Sequence, residues 1–268
     1  MDEPANGVGA ARGIAGRVRQ LFRTPRRGRG FWYGLAIDLV WPLLMTFTIP
    51  VWRGGGQVPR TGGALLASNH ISFVDPIAGT AFVLAQGRIP RYLAKASLWR
   101  VPLIRRVLAG GGHIPVHRES ASPMGAYTDA VAALDRGETV LVYPEGTFTS
   151  DEDGWPMRGK TGVARMALAT GVPVIPIAQW GGQLVLPRRS FLPRLLPRKT
   201  LHVVAGPPVD LSDLVGQKPT RDVLAAATER IMAAITDLLA GIRDETPPGT
   251  KPTSLRAVAD EDVERDRR

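Results

Sequence analysis

The chain has no cysteine. Disulfides, thiolate metal sites and a cysteine nucleophile are therefore excluded, and the composition suits a reducing compartment. Aromatic residues are scarce, at 6%. Neither a zinc-finger spacing nor an aromatic-rich ribonucleoprotein signature occurs, so no nucleic-acid partner is expected. Histidine is scarcer still, with four in 268 residues. The uncharged apolar run at residues 39–52 falls short of the ~20 residues that span a bilayer. No A-x-A-like cleavage site follows it, so a secretory signal is not expected.

What is present is a hydrophobic content of 44% and a formal charge of +10. The first is enough for a packed core. The second is unevenly placed. Residues 1–30 hold seven arginines against Asp2 and Glu3. Seven basic residues and no acid lie between Asp75 and Glu119, and "LPRRSFLPRLLPRK" (186–199) adds five more. These stretches are interleaved with Leu, Val, Pro and Trp, a mixture that suits anionic lipid headgroups or phosphorylated substrates.

The chain divides into four parts. Residues 1–30 form a basic N-terminus in which Ile14, Val18, Leu21 and Phe22 share one helical face. Residues 31–56 contain the apolar stretch "FWYGLAIDLVWPLLMTFTIPVW", interrupted by Asp38, Pro42 and Pro50. Its tryptophans suit interfacial anchoring, so a membrane-associating helical segment is expected here. With arginines before it, the cytoplasmic face of the cell membrane is the expected location. Residues 57–243 alternate short apolar runs (64–68, 91–95, 113–117, 139–143, 173–177 and 200–205) with helix-like stretches (76–86, 97–109, 122–136, 160–170 and 220–243). Such alternation predicts a three-layer α/β sheet domain. Leu224, Ile231, Ile235, Leu238 and Ile242 form the apolar stripe of the last helix. The prolines in "VPVIPI" (172–177) predict an edge strand or a pocket wall. Residues 244–268 are polar and charged, as in a disordered tail.

The stretch "SNHISFVDP" (68–76) carries the first candidate chemistry. "ALLAS" is a strand, Asp75 suits an N-cap and Pro76 the first helical position. His70 then lies on a loop leaving the carboxyl edge of a sheet, where α/β proteins bind ligands. Within one helix, five positions would put the two side chains about 140° apart. A loop entering a helix can bring them together as a general base and its orienting carboxylate. A second block, "YPEGTFT" (143–149), also follows a strand and contains a glycine that permits close backbone approach. A third, "GGGHIPVHR" (110–118), ends a strand at Arg118. His113 and His117 have the i, i+4 spacing of helical zinc pairs. Their setting is a strand, however, in which four residues span about 13 Å, too far for one metal.

In this order and spacing, the blocks over residues 60–210 resemble the glycerolipid acyltransferase family, in particular 1-acylglycerol-3-phosphate acyltransferases. The N-H-x4-D motif is met by Asn69, His70 and Asp75, the glycine-led strand by Gly112 to Arg118, and the Pro-Glu-Gly-Thr block by Pro144 to Thr147. The resemblance implies that His70 deprotonates a glycerol hydroxyl, which attacks an acyl thioester directly. It implies that Asn69, Glu145, Gly146 and Thr147 bind the acceptor, with nearby amides on the oxyanion. Arg118 would hold its phosphate, supported by Lys95 and Lys160. The partners implied are acyl-CoA or acyl carrier protein, a lysophospholipid such as lysophosphatidic acid, and a membrane surface; no cofactor or metal is called for. Where the family block usually has arginine, this chain has Phe148. That removes one phosphate ligand and opens other lysophospholipids or glycolipids as acceptors, although Arg158, Lys160 and Arg165 follow. A non-catalytic, membrane-bound polyanion-binding protein is the alternative of a different class.

Overall fold

Strands that are buried at every position need cover on both faces, because successive side chains point to opposite sides. "ALLAS" (Ala64–Ser68, β2) is buried at all five positions, and "TVLV" (Thr139–Val142, β5) at all four. The computed structural model describes residues 28–117, 124–187, 190 and 192–248. Arg118, most of the basic N-terminus and most of the C-terminal tail lie outside them.

Five further strands complete the sheet: Thr48–Arg53 (β1), Pro90–Lys95 (β3), Ile114–Val116 (β4), Val174–Trp180 (β6) and Lys199–Ala205 (β7). Their order is β1-β7-β6-β2-β5-β3-β4. Strands β2 to β6 are mutually parallel, β7 runs antiparallel to β6, and β1 is parallel to β7.

Helices cover both faces. Leu66, Leu141, Ile175 and Ile177 meet Phe31–Phe47 (α1) and Asp75–Ala85 (α2) through Tyr33, Ile37, Trp41, Ala78 and Phe82. Leu65, Ala67, Val140 and Val142 meet Met124–Asp135 (α4), Gly162–Thr170 (α5) and Arg221–Arg243 (α7). The expected three-layer α/β arrangement is therefore present. Helix α7 is capped by Thr220, whose side chain accepts from the Val223 amide, and buries Leu224, Ile231 and Ile235. Leu238 and Ile242 pack around Trp155.

Four local readings differ. Residues 48–53 were expected within an apolar helical segment. They form edge strand β1, in register with β7 from Thr48↔Lys199 to Arg53↔Val204. Arg198 secures the junction by donating to the carbonyls of Met45 (3.1 Å) and Thr48. Pro42 lies inside α1 rather than interrupting it, because the buried face outweighs one missing ladder bond. The stretch 97–109 is broken into a 3-10 segment, Ala96–Arg100, and helix Pro102–Gly110 (α3). Val101 before Pro102 is extended, as a residue preceding proline prefers.

Strand β6 is interior, not an edge. Pro176 is tolerated there because of where its nitrogen points. Its carbonyl accepts from Gly206, just past the end of β7. The nitrogen of a strand residue faces the same side as its carbonyl, and β6–β7 pairing begins only at Ile177↔Ala205.

Candidate active site

The carboxyl ends of β2, β5 and β6 converge on one edge of the sheet. At the end of β2, Asn69 is fully buried. Its side-chain amide donates to the Gln179 carbonyl (3.0 Å) and accepts from the Gln179 amide (2.7 Å). It clamps β2 to β6 with one N–H of its amide and one lone pair of its oxygen.

The next residue turns outward. His70 Nδ1 lies 3.0 Å from Asp75 Oδ2. The same oxygen accepts from the amides of Ile71 (2.6 Å) and Ser72 (2.7 Å). A carboxylate only accepts, so Nδ1 carries the proton and Nε2 keeps a lone pair. Asp75 is not the N-cap of α2. Val74 takes that place, and Asp75 is the first helical residue, its carboxylate reaching back into the loop. The positive end of the helix favours a carboxylate there. Gly182 opens the short helix Gly182–Val185 (α6), and a Cβ on it would lie 2.7 Å from Asp75 Oδ1. Only glycine admits that approach.

The block after β5 holds His70 from the other side. Glu145 is buried, with Oε1 accepting from the His70 amide (3.1 Å) and Oε2 from the Met157 amide (2.9 Å). The Thr149 amide donates to the His70 carbonyl (2.8 Å). Glu145 thus fixes the backbone of His70. Each of its oxygens takes one backbone amide. Gly146 has φ +73°, and a Cβ there would lie 2.9 Å from Lys160 Nζ. Lys160 therefore crosses directly over this turn, with its amide donating to Pro144 (2.9 Å). Thr147 and Lys95 are exposed, Lys95 at the carboxyl end of β3. Arg118 lies outside the described residues.

Two aromatic rings pack against the imidazole, and a third backs one of them. Tyr143 stacks on the imidazole at 4.0 Å and 16°, and Phe148 lies at 4.2 Å and 42°. Phe73 meets Phe148 edge-on at 4.7 Å. The Tyr143 hydroxyl is buried, and that burial holds it well above the usual phenol range, so it remains neutral. Farther out, Arg243 stacks over both Trp155 (4.1 Å) and Trp180 (4.4 Å) and donates to the Asp153 carbonyl (2.7 Å). It ties the end of α7 to the segment that carries Met157.

Burial pushes Glu145 up to about 7, against the pull of the Met157 and His70 amides. The sign of the pH effect follows. Between about 7 and the ordinary value of 4.5, the native state holds a proton that the unfolded chain has released. This contribution to stability therefore grows as pH falls through that window. The melting temperature of the wild type minus that of Glu145→Gln is expected to rise steadily from pH 7.5 to pH 5. A flat difference would rule out this titration.

His113 is used elsewhere. Its Nδ1 accepts from the Tyr92 amide (3.1 Å), extending the β3–β4 ladder, and burial lowers it to about 4. It lines a cleft of about 280 Å³ at the amino edge of the sheet, together with Arg91, Arg136 and Glu138. Both arginines there are engaged by Glu138.

A family model described as acyltransferase matches residues 52–180. The 1-acyl-sn-glycerol-3-phosphate acyltransferase of Bacillus subtilis is 30% identical over 195 residues, covering 69% of this chain and 89% of that one. The chain belongs to the acyltransferase family. A protein of the same name from Borreliella burgdorferi is 31% identical over 125 residues, 46% of this acyltransferase and 48% of its relative. The crystal structure of the 1-acyl-sn-glycerophosphate acyltransferase PlsC from Thermotoga maritima superimposes with a TM-score of 0.60. It covers 87% of this chain and 83% of that one at 19% identity, a likeness of fold. The residues that hold His70 in this acyltransferase (Gln179 through Asn69, Met157 and Thr149 through the 143–149 block) carry no sequence signal of their own.

Proposed function

We propose that this enzyme moves a fatty acyl group from an acyl thioester to the free hydroxyl of lysophosphatidic acid, giving phosphatidic acid. The observation that carries the reading is the His70–Asp75 pair, with Nδ1 committed to the carboxylate and Nε2 left as a base. Nε2 takes the proton of the acceptor hydroxyl as its oxygen adds to the thioester carbonyl. Asp75 balances the imidazolium that forms. The carbon–sulfur bond then breaks, and the imidazolium returns the proton to the departing thiolate of acyl-CoA or acyl carrier protein. A one-step route agrees with the absence of cysteine and of a G-x-S-x-G elbow. The amides of Ile71, Ser72 and Gly146 are already bonded within the protein. Lys160, lying over Gly146, is therefore the favoured cation for the oxyanion or the acceptor phosphate, with Lys95 and Arg118 as further candidates. Phe148 favours a second reading, in which a different lysophospholipid or a glycolipid is the acceptor.

The enzyme is further proposed to work on the cytoplasmic face of the cell membrane. No helix of the described residues is long and apolar enough to cross a membrane. Helix α1 instead buries Tyr33, Ile37 and Trp41 and exposes Phe31, Trp32, Leu35, Leu39 and Leu43 along the opposite stripe. Alongside it, no residue of α3 is fully buried, although Val107 packs against the core. Helix α3 exposes Leu103 and Ile104 beside Arg105 and Arg106, and Arg106 lies over Trp32. An apolar face rimmed by arginines suits anionic headgroups.

One experiment tests both parts. An acceptor panel (lysophosphatidic acid, glycerol 3-phosphate, lysophosphatidylglycerol and a glycolipid) is assayed in detergent and in anionic vesicles. Lysophosphatidic acid should be the best acceptor in both. A variant with Leu35→Asp, Leu39→Asp and Leu43→Asp should keep its detergent activity and lose most of its vesicle activity. Better use of another acceptor overturns the headgroup assignment, and full vesicle activity in the variant overturns the membrane face.

A further inference from the structure

The imidazole of His70 is closely packed. Tyr143 stacks on it at 4.0 Å, and Phe148 lies against it at 4.2 Å, tilted by 42°. Asp75 holds the edge bearing Nδ1. Only 15% of the side chain's surface stays accessible. The two covering rings differ in kind. Tyr143 belongs to the interior, with its hydroxyl buried and its ring also stacked toward Tyr92. Phe148 stands on the outer side, backed by Phe73, which is 49% exposed.

The position of Phe148 is fixed by its neighbours. On one side is the positive-φ turn at Gly146. On the other, the Thr149 amide is bonded to the His70 carbonyl, and the Thr149 hydroxyl donates to the Trp155 carbonyl (2.6 Å). The backbone that carries the ring is thus bonded to the residue the ring covers.

That arrangement bears on a competition built into the chemistry. A base that activates an alcohol also activates water. The water oxygen would add to the thioester carbonyl while its proton passed to Nε2. The carbon–sulfur bond would break, and the proton would return to the departing sulfur, leaving a free fatty acid and a thiol. Atoms and charges balance as they do for transfer, so only access to Nε2 separates the two outcomes. An apolar ring offers approaching water no hydrogen bond, whereas a lipid acceptor can lay its chain against it.

We propose that Phe148, backed by Phe73, is a specificity-determining residue that shields His70 from water and so commits the acyl thioester to transfer rather than hydrolysis. The proposal rests on the reading of His70 as the general base.

The test measures ester product and free fatty acid in the same reaction, at saturating acceptor, for the wild type, Phe148→Ala and Phe148→Leu. In Phe148→Ala the ratio of hydrolysis to transfer should rise about tenfold, equivalent to ~1.4 kcal/mol between the competing barriers. Phe148→Leu, which keeps an apolar cover, should recover most of the wild-type ratio. The ratio comes from one sample, so a loss of folded enzyme scales both numbers and leaves it unchanged. An unaltered ratio in Phe148→Ala overturns the shield. So does a raised acceptor KM with the same ratio at saturation, which would make Phe148 an acceptor contact. His70→Ala, assayed in parallel, separates the two ideas. If it forms both products at about a tenth of the wild-type rate or more, the general-base reading fails independently of how Phe148 behaves.

Discussion

Replacing His70 by alanine is expected to lower kcat for acyl transfer by ~10²–10⁴-fold, the range that a positioned general base supplies. The fold should survive. The imidazole contributes one bond to Asp75, and that carboxylate keeps the amides of Ile71 and Ser72 without it. The backbone bonds of residue 70, to Glu145 and Thr149, do not involve the side chain. Turnover and thermal unfolding measured on the same preparation check both halves. A variant that keeps a tenth or more of wild-type turnover would remove His70 from the chemistry.

Asp75 separates charge from scaffold. One oxygen, Oδ2, receives all three bonds. In Asp75→Asn the amide oxygen can take its place, accept from the same three donors and leave the imidazole tautomer unchanged. The reversed orientation would aim the NH₂ group at three N–H groups. What is lost is the negative charge opposite the imidazolium. A fall of roughly 10²-fold in kcat with near-native stability is expected, smaller than for His70→Ala. Asp75→Ala is a different experiment. It strands two amides in a loop where Ile71 and Ser72 are buried, at about 1–3 kcal/mol each. Urea unfolding of the two variants should therefore differ by several kcal/mol. If alanine is no less stable than asparagine, the carboxylate is not the scaffold of this loop.

The parts of this site that were legible in the sequence are those carried by local pattern. "ALLAS" is apolar up to Ser68, ends in a polar loop and is followed by Asp75-Pro76, so strand, loop and helix could be placed in turn. What escaped is what depends on residues far apart in the chain. Nothing beside Glu145 indicates that its oxygens go to His70 and Met157. Nothing in "IAQWGG" marks Gln179 as the partner of Asn69. The strand Thr48–Arg53 was hidden for a related reason. It continues an apolar helix without a glycine or polar break, and only its pairing with Lys199–Ala205 makes it a strand. Pro176 misled because proline excludes an N–H, and an interior strand can lack one where its neighbour has already ended.

The reversal of β7 has a topological consequence. Had it run parallel to β6, the chain would have crossed back to the amino edge, and the connection would have left the neighbourhood of His70. Because β7 is antiparallel to β6, with Trp180 opposite His202, the connection 181–198 is an overgrown hairpin on the rim that holds the imidazole. It presents Leu192 and Leu196 to solvent, 79% and 75% exposed, and Arg198 moors it to the end of α1. A hairpin can gain or lose residues without shifting the register of the strands that flank it. The rim above the site is thus adjustable in length, while the loop that carries His70 and Asp75 is held at every turn.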